Sequence, residues 1–107
     1  MKTFKYEIWQ LSKDSDYAFM SWDYAKDKFT PPDYHSVYSG TETARDNLDL
    51  LEYLFEKFNI NHPEDFKGHS LSVSDVVKVY QDDGETVHYY YCDSFGWKLF
   101  CEAKLIK

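Results

Sequence analysis

The 107-residue sequence is poor in three residue types, with four glycines, three prolines and two cysteines. The glycines are not clustered, which excludes a glycine-rich loop of the kind that cradles phosphate groups. No apolar run approaches the roughly 18 residues of a membrane span, and the first residues lead into a strand pattern instead of a signal-peptide core. The sequence therefore predicts one soluble, cytoplasmic domain over residues 1–107.

The scarcity of cysteine also limits the metal and redox chemistry that the chain can perform. Cys92 and Cys101 lie on neighbouring predicted strands, so a disulfide is conceivable, although buried free thiols and the rarity of cytosolic disulfides favour two thiols. The histidines and cysteines form no pair at the two-to-four-residue spacing of structural zinc sites. His88 and Cys92 share a strand face, which leaves a weak site open. We expect neither a metal nor another cofactor.

Aromatic residues are abundant, at 20% of the chain, and ten of them are tyrosines. Buried aromatic rings remove large areas from water, so a core can close without disulfide bonds. Tyrosine combines an apolar ring with a polar hydroxyl group. This composition is typical of a protein whose half-buried surfaces meet solvent or a partner.

The net charge of −7 is concentrated in the middle of the chain. Residues 29–95 contain thirteen acidic and four basic residues, whereas residues 1–28 contain five of each. Proteins that bind nucleic acid directly need Lys and Arg to neutralise phosphates, so this charge disfavours such binding. Two interpretations remain open: the charge keeps the protein soluble, or an acidic face docks against a basic protein surface.

Hydrophobic periodicity predicts an α+β fold with a mostly antiparallel sheet of about five strands. A short helix is predicted within residues 17–28, with Trp22 and Phe29 as anchors, and one main helix over about 45–58, which packs on one face of the sheet. The predicted strands span residues 4–11, 35–41, 76–80, 86–93 and 97–101, the last three forming a meander.

The main helix has the clearest pattern. Its core-facing stripe is predicted to comprise Leu48, Leu51, Phe55 and Phe58, widened by Leu50 and Leu54. Thr43 or Asp46 is expected to cap its first turn. Acidic side chains form its water-facing side and, with those of the hairpin turn at 81–85, make up the candidate partner-binding set: Asp46, Asp49, Glu52, Glu56, Asp82, Asp83 and Glu85.

The segment HPEDFKGHSLSVSDVV, residues 62–77, is the best catalytic candidate in the chain. Residues 68–72 differ at one position from the G-x-S-x-G pattern that presents a nucleophilic serine, because Ser72 replaces the last glycine. Ser70, Ser72 and Ser74 supply the residue types of a triad together with His69 and Asp75, but neighbours on an extended chain alternate between faces. Local hydrogen bonds to free backbone groups explain them more simply, so we predict no catalytic residue.

Three segments together resemble the YodL-like domain, a small module of Firmicutes mobile-element and polyvalent proteins. They are KYEIWQL near the start, LFEKFNINHPEDFKGHSLSVSDVV in the middle and YYYCDSFGW near the end. The resemblance extends over nearly the whole chain and implies carriage on plasmids, conjugative elements or phages, without catalytic residues. The motif residues to which it assigns a structural role are Pro63, Gly68, His69, Ser72, Ser74, Asp75, Asp93 and Gly96.

Two functional hypotheses follow. In the first, the chain is a non-enzymatic inhibitor of a host defence nuclease, acting as an anti-CRISPR protein on Cas9 or its guide loading, or against restriction. In the second, it is an interaction module of conjugative elements, dimeric or partner-binding, without inhibitory activity. The second hypothesis places the interface on Tyr89, Tyr91 and Trp97. An enzyme is the third and least favoured interpretation.

Overall fold

The computed structural model describes residues 1–12, 14–60, 63–66 and 68–104. The predicted strands and the main helix are present in the predicted order. The elements are β1 (Lys2–Leu11), α1 (Trp22–Ala25), a 3-10 turn (Pro31–Asp33), β2 (Tyr34–Ala44), α2 (Asn47–Ile60), β3 (Val76–Tyr80), β4 (Thr86–Asp93) and β5 (Gly96–Lys104). None of the described helices is long and apolar enough to cross a membrane.

The five strands form one open antiparallel sheet in the order β2-β1-β3-β4-β5. The α+β fold class is therefore confirmed. Both edge strands are longer than predicted: β2 pairs with β1 from Tyr34 to Ala44, and β5 pairs with β4 from Gly96 to Lys104. The added residues at the C-terminal ends of both strands include Glu and Lys or Thr, so the hydrophobic pattern stops before the backbone pairing between the strands does.

The helix α2 begins two residues later and ends two residues later than predicted. Asp46 caps it, because its Oδ1 accepts a hydrogen bond from the Asp49 backbone N–H at 2.9 Å. The buried face consists of Leu50, Leu51, Leu54 and Phe58. The predicted stripe was thus wrong at two positions, since Leu48 is 62% exposed and Phe55 is 40% exposed.

The two faces of the sheet are covered by different parts of the chain. The buried residues of α2 share a cluster with Phe4, Tyr6 and Ile8 of β1, which alternate as the sequence predicted. On the opposite face, residues 17–34 pack a second cluster against Val76 and Tyr91. The predicted anchors Trp22 and Phe29 belong to this second cluster, but the helix there is confined to four residues.

The segment between α2 and β3 contains a turn in which the Phe66 N–H donates to the Pro63 carbonyl oxygen at 3.0 Å. Pro63 thus lies at the start of this turn. Leu71 is buried, whereas Val73 is half-buried. Asn61, His62 and Lys67 lie outside the described residues, and so do the predictions made for them.

Candidate functional site: the cleft between α2 and the β4–β5 turn

A cleft of about 210 Å³ separates the outer side of α2 from the turn that joins β4 to β5. Main-chain geometry fixes the turn, because Gly96 has a φ of +88°, a left-handed conformation that glycine adopts without a steric penalty. The cleft is lined by Glu52, Phe55, Val73, Cys92, Asp93, Ser94, Gly96 and Trp97. It is therefore built from three parts of the chain that are far apart in sequence: α2, the loop before β3, and the end of β4 with its turn.

Two carboxylates border this cleft. Glu52 is an exposed residue of α2, and Asp93 is the last residue of β4. The Oδ1 atom of Asp93 accepts hydrogen bonds from the backbone N–H groups of Trp22 and Ser94, at 3.0 and 2.8 Å. These bonds hold the Asp93 side chain at the cleft and explain the structural role that the family motif implied for it. The arrangement places negative charge on two sides of the cleft.

Apolar surface accompanies the acids. Phe55 is 40% exposed and Phe95, at the tip of the turn, is 99% exposed. Trp97 is half-buried and packs against the α2 cluster. A fully exposed phenylalanine gains nothing from the hydrophobic effect in the isolated chain, whereas aromatic side chains are enriched at protein interfaces. We call Glu52, Phe55, Asp93, Phe95 and Trp97 the α2–turn surface.

The buried thiol of Cys92 lines the same cleft. Burial, reinforced by the negative charges of Asp75 and Asp93, raises the pKa of this thiol to about 12. The thiolate is the nucleophilic form of cysteine, so this side chain stays in its unreactive form at neutral pH. Cys92 and Cys101 are both free, and the register explains why, because Cys92 pairs with Trp97 whereas Cys101 pairs with Tyr89.

Most of the predicted acidic residues already have partners within the chain. Asp46 caps α2, and Arg45 donates to Asp49, whose pKa is lowered by those hydrogen bonds. At the hairpin, Asp83 accepts hydrogen bonds from the backbone N–H and the hydroxyl group of Thr86 and from the Glu85 backbone N–H.

Those bonds lower the pKa of Asp83 to about 2. The other two hairpin acids form surface ion pairs, Asp82 with Lys2 at 3.4 Å and Glu85 with Lys104 at 3.8 Å. Among the described residues, Glu52 and Glu56 are the two members of the predicted set with neither an ion pair nor a side-chain hydrogen bond, and both are exposed. The partner-binding role of the whole set stays a prediction.

The aromatic residues proposed for the alternative interface do not lie together. Tyr91 is fully buried, and its hydroxyl group donates to the Met20 carbonyl oxygen at 2.7 Å, so its proposed role in an interface is wrong. Trp97 pairs with Cys92 and lies on the α2 side, whereas Tyr89 packs against the second cluster on the other face. Of the three, only Trp97 contributes to the α2–turn surface.

The motif residues around Asp75 form a hydrogen-bonded cluster inside the molecule. The Asp75 Oδ2 accepts from the Gln10 Nε2 at 3.0 Å and from the Ser72 backbone N–H at 2.7 Å. The Gln10 side chain also accepts from the His69 N–H and donates to the His69 carbonyl oxygen. Gly68 is required here by space, because a Cβ atom would lie 2.1 Å from the Gln10 Oε1.

Asp75 is 1% exposed, and burial raises the pKa of its carboxyl group to about 8, against the opposing effect of the two donors. Its Oδ1 has no hydrogen-bond partner among the described residues, and the His69 Nε2 lies 3.9 Å away. A pKa of about 8 favours the neutral acid at neutral pH, because burial penalises the charged form.

The hydroxyl groups of Ser72 and Ser74 in the motif form hydrogen bonds with backbone groups. The Ser72 hydroxyl group donates to the Ser70 carbonyl oxygen at 2.8 Å. The Ser74 Oγ accepts from the Phe19 N–H at 2.9 Å, and the Ser74 carbonyl oxygen accepts from the Tyr34 hydroxyl group at 2.6 Å. Ser74 has a φ of +85°, a strained conformation held in place by these contacts. In the part of the chain that the structure describes, no cluster of three His, Cys, Asp or Glu side chains forms a metal site.

Sequence reasoning misses the roles of two residues, Gln10 and Phe95. Gln10 looks like the polar end of β1 in the sequence, and no local signal marks a glutamine that binds a segment 59 positions away. Phe95 looks like part of a tight turn and no more. Its signal is present in the sequence, because a large apolar residue at the tip of a two-residue connection has no core to enter.

The fold and the cleft define a small single-domain α+β protein with an acidic, partly apolar surface. The profile of the YodL-like domain matches residues 5–102, and the chain therefore belongs to the YodL-like domain family. Neither the curated proteins nor the solved structures compared with the chain include a significant match.

Proposed function

We propose that this YodL-like domain is a non-enzymatic binding protein that attaches to a basic protein surface through the α2–turn surface. The observation that carries the proposal is that Glu52 and Asp93 line one cleft together with the rings of Phe55 and Trp97, next to the turn that exposes Phe95. Carboxylates attract an incoming Lys or Arg side chain, and aromatic faces add a cation–π contribution. Buried aromatic anchors surrounded by polar residues are the usual source of affinity at interfaces.

The non-enzymatic character is supported by the state of the nucleophile candidates. The Ser72 and Ser74 oxygens are engaged with backbone groups, and the buried thiol of Cys92 stays protonated. A nucleophile needs an adjacent base in hydrogen-bond contact. Ser72 and Ser74 instead contact the backbone, which favours a structural role for the motif.

The partner class we propose is a host defence nuclease, Cas9-type or restriction, whose nucleic-acid channel is basic. Such channels contain arginine and lysine side chains placed to meet phosphates. An acidic surface with a protruding Phe95 ring is complementary to the charge of such a channel, and its attachment would block guide loading or substrate entry. The net charge of −7 increases the rate of encounter with a basic partner.

The test is binding and cleavage by a panel of purified Cas9-type and restriction nucleases, each Cas9 protein with and without its guide. We expect a complex with at least one nuclease and reduced cleavage by it. The variants Glu52→Lys and Phe95→Ala should each weaken binding by at least about tenfold, as expected for interface anchors.

The matched control is Glu64→Lys, which makes the same change in net charge at an exposed position outside the α2–turn surface. It should retain affinity within about threefold, because a distant charge alters mainly the encounter rate. No complex with any nuclease would refute the proposed partner class. Equal losses in the Glu52 and Glu64 variants would instead refute the α2–turn surface as the binding site.

The alternative function, an interaction module without inhibitory activity, is favoured by the same exposed Phe95 ring. It predicts a complex in which cleavage continues at its normal rate. The cleavage assay therefore separates the two functions once binding is established.

A further inference from the structure

The sheet face opposite α2 contains a groove of about 410 Å³ that is almost entirely apolar. It lies between the segment 29–31 and the strands β1, β4 and β5. Its lining is Trp9, Phe29, Pro31, Tyr89, Phe100, Cys101 and Ala103. A cavity of about 150 Å³ is enough to hold a benzene molecule. The groove therefore has room for an aromatic side chain from outside the molecule.

The border of this groove is positively charged. The Lys78 Nζ lies 5.7 Å from the centre of the Trp9 ring and 5.8 Å from that of Tyr89. The ammonium groups of Lys5 and Lys78 each lie 5.1 Å from the centre of the Tyr80 ring. In the described part of the chain, neither lysine has a carboxylate within 4 Å.

Glu7 is the acidic residue that faces this border, because it pairs with Lys78 across the strands. Its carboxylate accepts hydrogen bonds from the Trp9 indole N–H and from the Ser36 hydroxyl group. The groove thus combines an aromatic lining with the Lys78 ammonium group, which shares the Tyr80 ring with Lys5, and with one carboxylate that is already hydrogen-bonded. We call Trp9, Lys78, Tyr89 and Phe100, with Lys5 at the border, the lysine–aromatic groove.

The molecule itself carries a surface with the complementary properties. The α2–turn surface presents the carboxylates of Asp93 and Glu52 at one cleft, and the 99% exposed Phe95 follows Asp93 by two residues in the adjoining turn. An aromatic ring flanked by acids fits an aromatic groove flanked by lysines. Trp97, on the same surface, pairs with Cys92 on the α2 side of the sheet, whereas the groove lies on the other side. One copy therefore presents both halves of a contact on different faces.

We propose that a second copy of this chain occupies the lysine–aromatic groove by inserting Phe95, with Asp93 and Glu52 facing Lys78 and Lys5. Such a contact is heterologous, because each copy inserts its Phe95 into one neighbour and accepts the Phe95 of another neighbour in its groove. It therefore generates chains or rings longer than a dimer. It also covers the α2–turn surface. Self-association and the binding of a basic partner therefore compete for the same residues.

The first measurement is sedimentation velocity of the wild-type chain over roughly 5 to 500 µM, the range in which a small contact of this kind is populated. We expect species that grow beyond two chains as the concentration rises. The variants Phe95→Ala, which removes the inserted ring, and Lys78→Glu, which reverses the charge of the groove, should each remain monomeric.

Mixing the two variants is the decisive step. The Lys78→Glu chain retains an intact Phe95 ring, and the Phe95→Ala chain retains an intact groove, so an equimolar mixture should form a two-chain species that grows no further. If Lys78→Glu does not fold, Cys101→Glu takes its place in both experiments, because Cys101 is exposed and lines the groove. We expect the same results with it. A charge-neutral control is Ser70→Ala, at an exposed position outside both surfaces.

A monomeric wild type across the range would overturn the proposal. So would a closed dimer that persists in either variant, or a mixture that stays monomeric. The inference uses the α2–turn surface but not the identity of its partner, and the two can fail separately. Lys78→Glu should abolish self-association while it leaves binding to a nuclease intact, whereas Phe95→Ala should weaken both.

Discussion

Gln10 and Asp75 are 65 positions apart in the sequence, and a hydrogen bond of 3.0 Å joins the Gln10 Nε2 to the Asp75 Oδ2 in the interior of the molecule. Both side chains are 1% exposed. Because the same glutamine amide also binds the backbone of His69, one side chain of β1 holds the loop before β3 at two points, His69 and Asp75. The stability of that loop should therefore depend on pH and on space around Gln10.

Asp75→Asn should flatten the pH dependence of stability. The folded chain keeps the Asp75 proton up to a pKa of about 8, whereas the unfolded chain releases it near 3.8. Between these values the folded state binds more protons, so the free energy of unfolding falls as the pH rises, by up to about 6 kcal/mol over the whole interval. Asparagine resembles the neutral acid and has no proton to lose. Urea unfolding at pH 5 and pH 8 measures the slope.

The control for this experiment is Asp65→Asn, at an exposed position. It should leave the difference between pH 5 and pH 8 as in the wild type. If Asp75→Asn shows the wild-type difference as well, the carboxyl group is ionised in the fold and its Oδ1 carries no proton.

Gly68→Ala should destabilise the fold by roughly 2–3 kcal/mol, the cost of displacing a buried hydrogen-bonded side chain. The new Cβ atom would lie 2.1 Å from the Gln10 Oε1 and would push the amide away from His69. Thermal unfolding measures the loss. Adding Gln10→Ala to Gly68→Ala should cost less than the sum of the two single changes.

Gly84→Ala is the comparison for that variant. Gly84 has a φ of +74°, but a Cβ atom added there would have no other atom within 4 Å, so only backbone strain opposes alanine. We expect a loss of about 1 kcal/mol. A Gly68 variant no less stable than the Gly84 variant would contradict the close approach to Gln10.

Leu51→Ala should cost about 3–4 kcal/mol, because Leu51 is fully buried and the change leaves a cavity. Leu48→Ala, three residues earlier on α2, should change stability by less than about 0.5 kcal/mol, because Leu48 is 62% exposed. Chemical denaturation of the pair measures which face of α2 is buried. Equal losses of stability in the two variants would support the buried face that the sequence pattern predicted, which includes Leu48.

The two thiols should react at very different rates with a disulfide reagent in the folded chain. Cys101 is exposed and should react at once, whereas Cys92 is buried, with a thiol pKa raised to about 12, and should react only on unfolding. The absorbance of the chromophore that the reagent releases, followed with time in buffer and in denaturant, measures the two rates. Two rapidly reacting thiols in buffer would contradict the buried position of Cys92.

The sequence predicted the element types well because periodicity is a local property. Periodicity identified β1, in which Phe4, Tyr6 and Ile8 are buried on one face, and the hairpin turn was predicted at 81–85, where Gly84 has a positive φ. It failed at Leu48 and Phe55, because apolar residues occur on more than one side of α2. Which side is buried depends on where the helix meets the sheet, and that is not encoded in the helix alone.

Much of the candidate site was beyond prediction for the same reason. Glu52 was proposed as a partner-binding residue, but its neighbours across the cleft come from a turn more than 40 positions later. The acids of the hairpin looked equivalent in sequence. Tertiary structure separates them, since Asp83 is hydrogen-bonded to Thr86 whereas Asp82 forms only an exposed ion pair.

By itself, the sequence determined the α+β class, the order of the strands along the chain, the excess of acid between residues 29 and 95 and the family. These depend on composition and on local periodicity. The tertiary structure alone decided that Gln10 binds Asp75, that Tyr91 is buried and that Phe95 is not. Those outcomes depend on contacts between distant segments, and only the packing of the two sheet faces sets them.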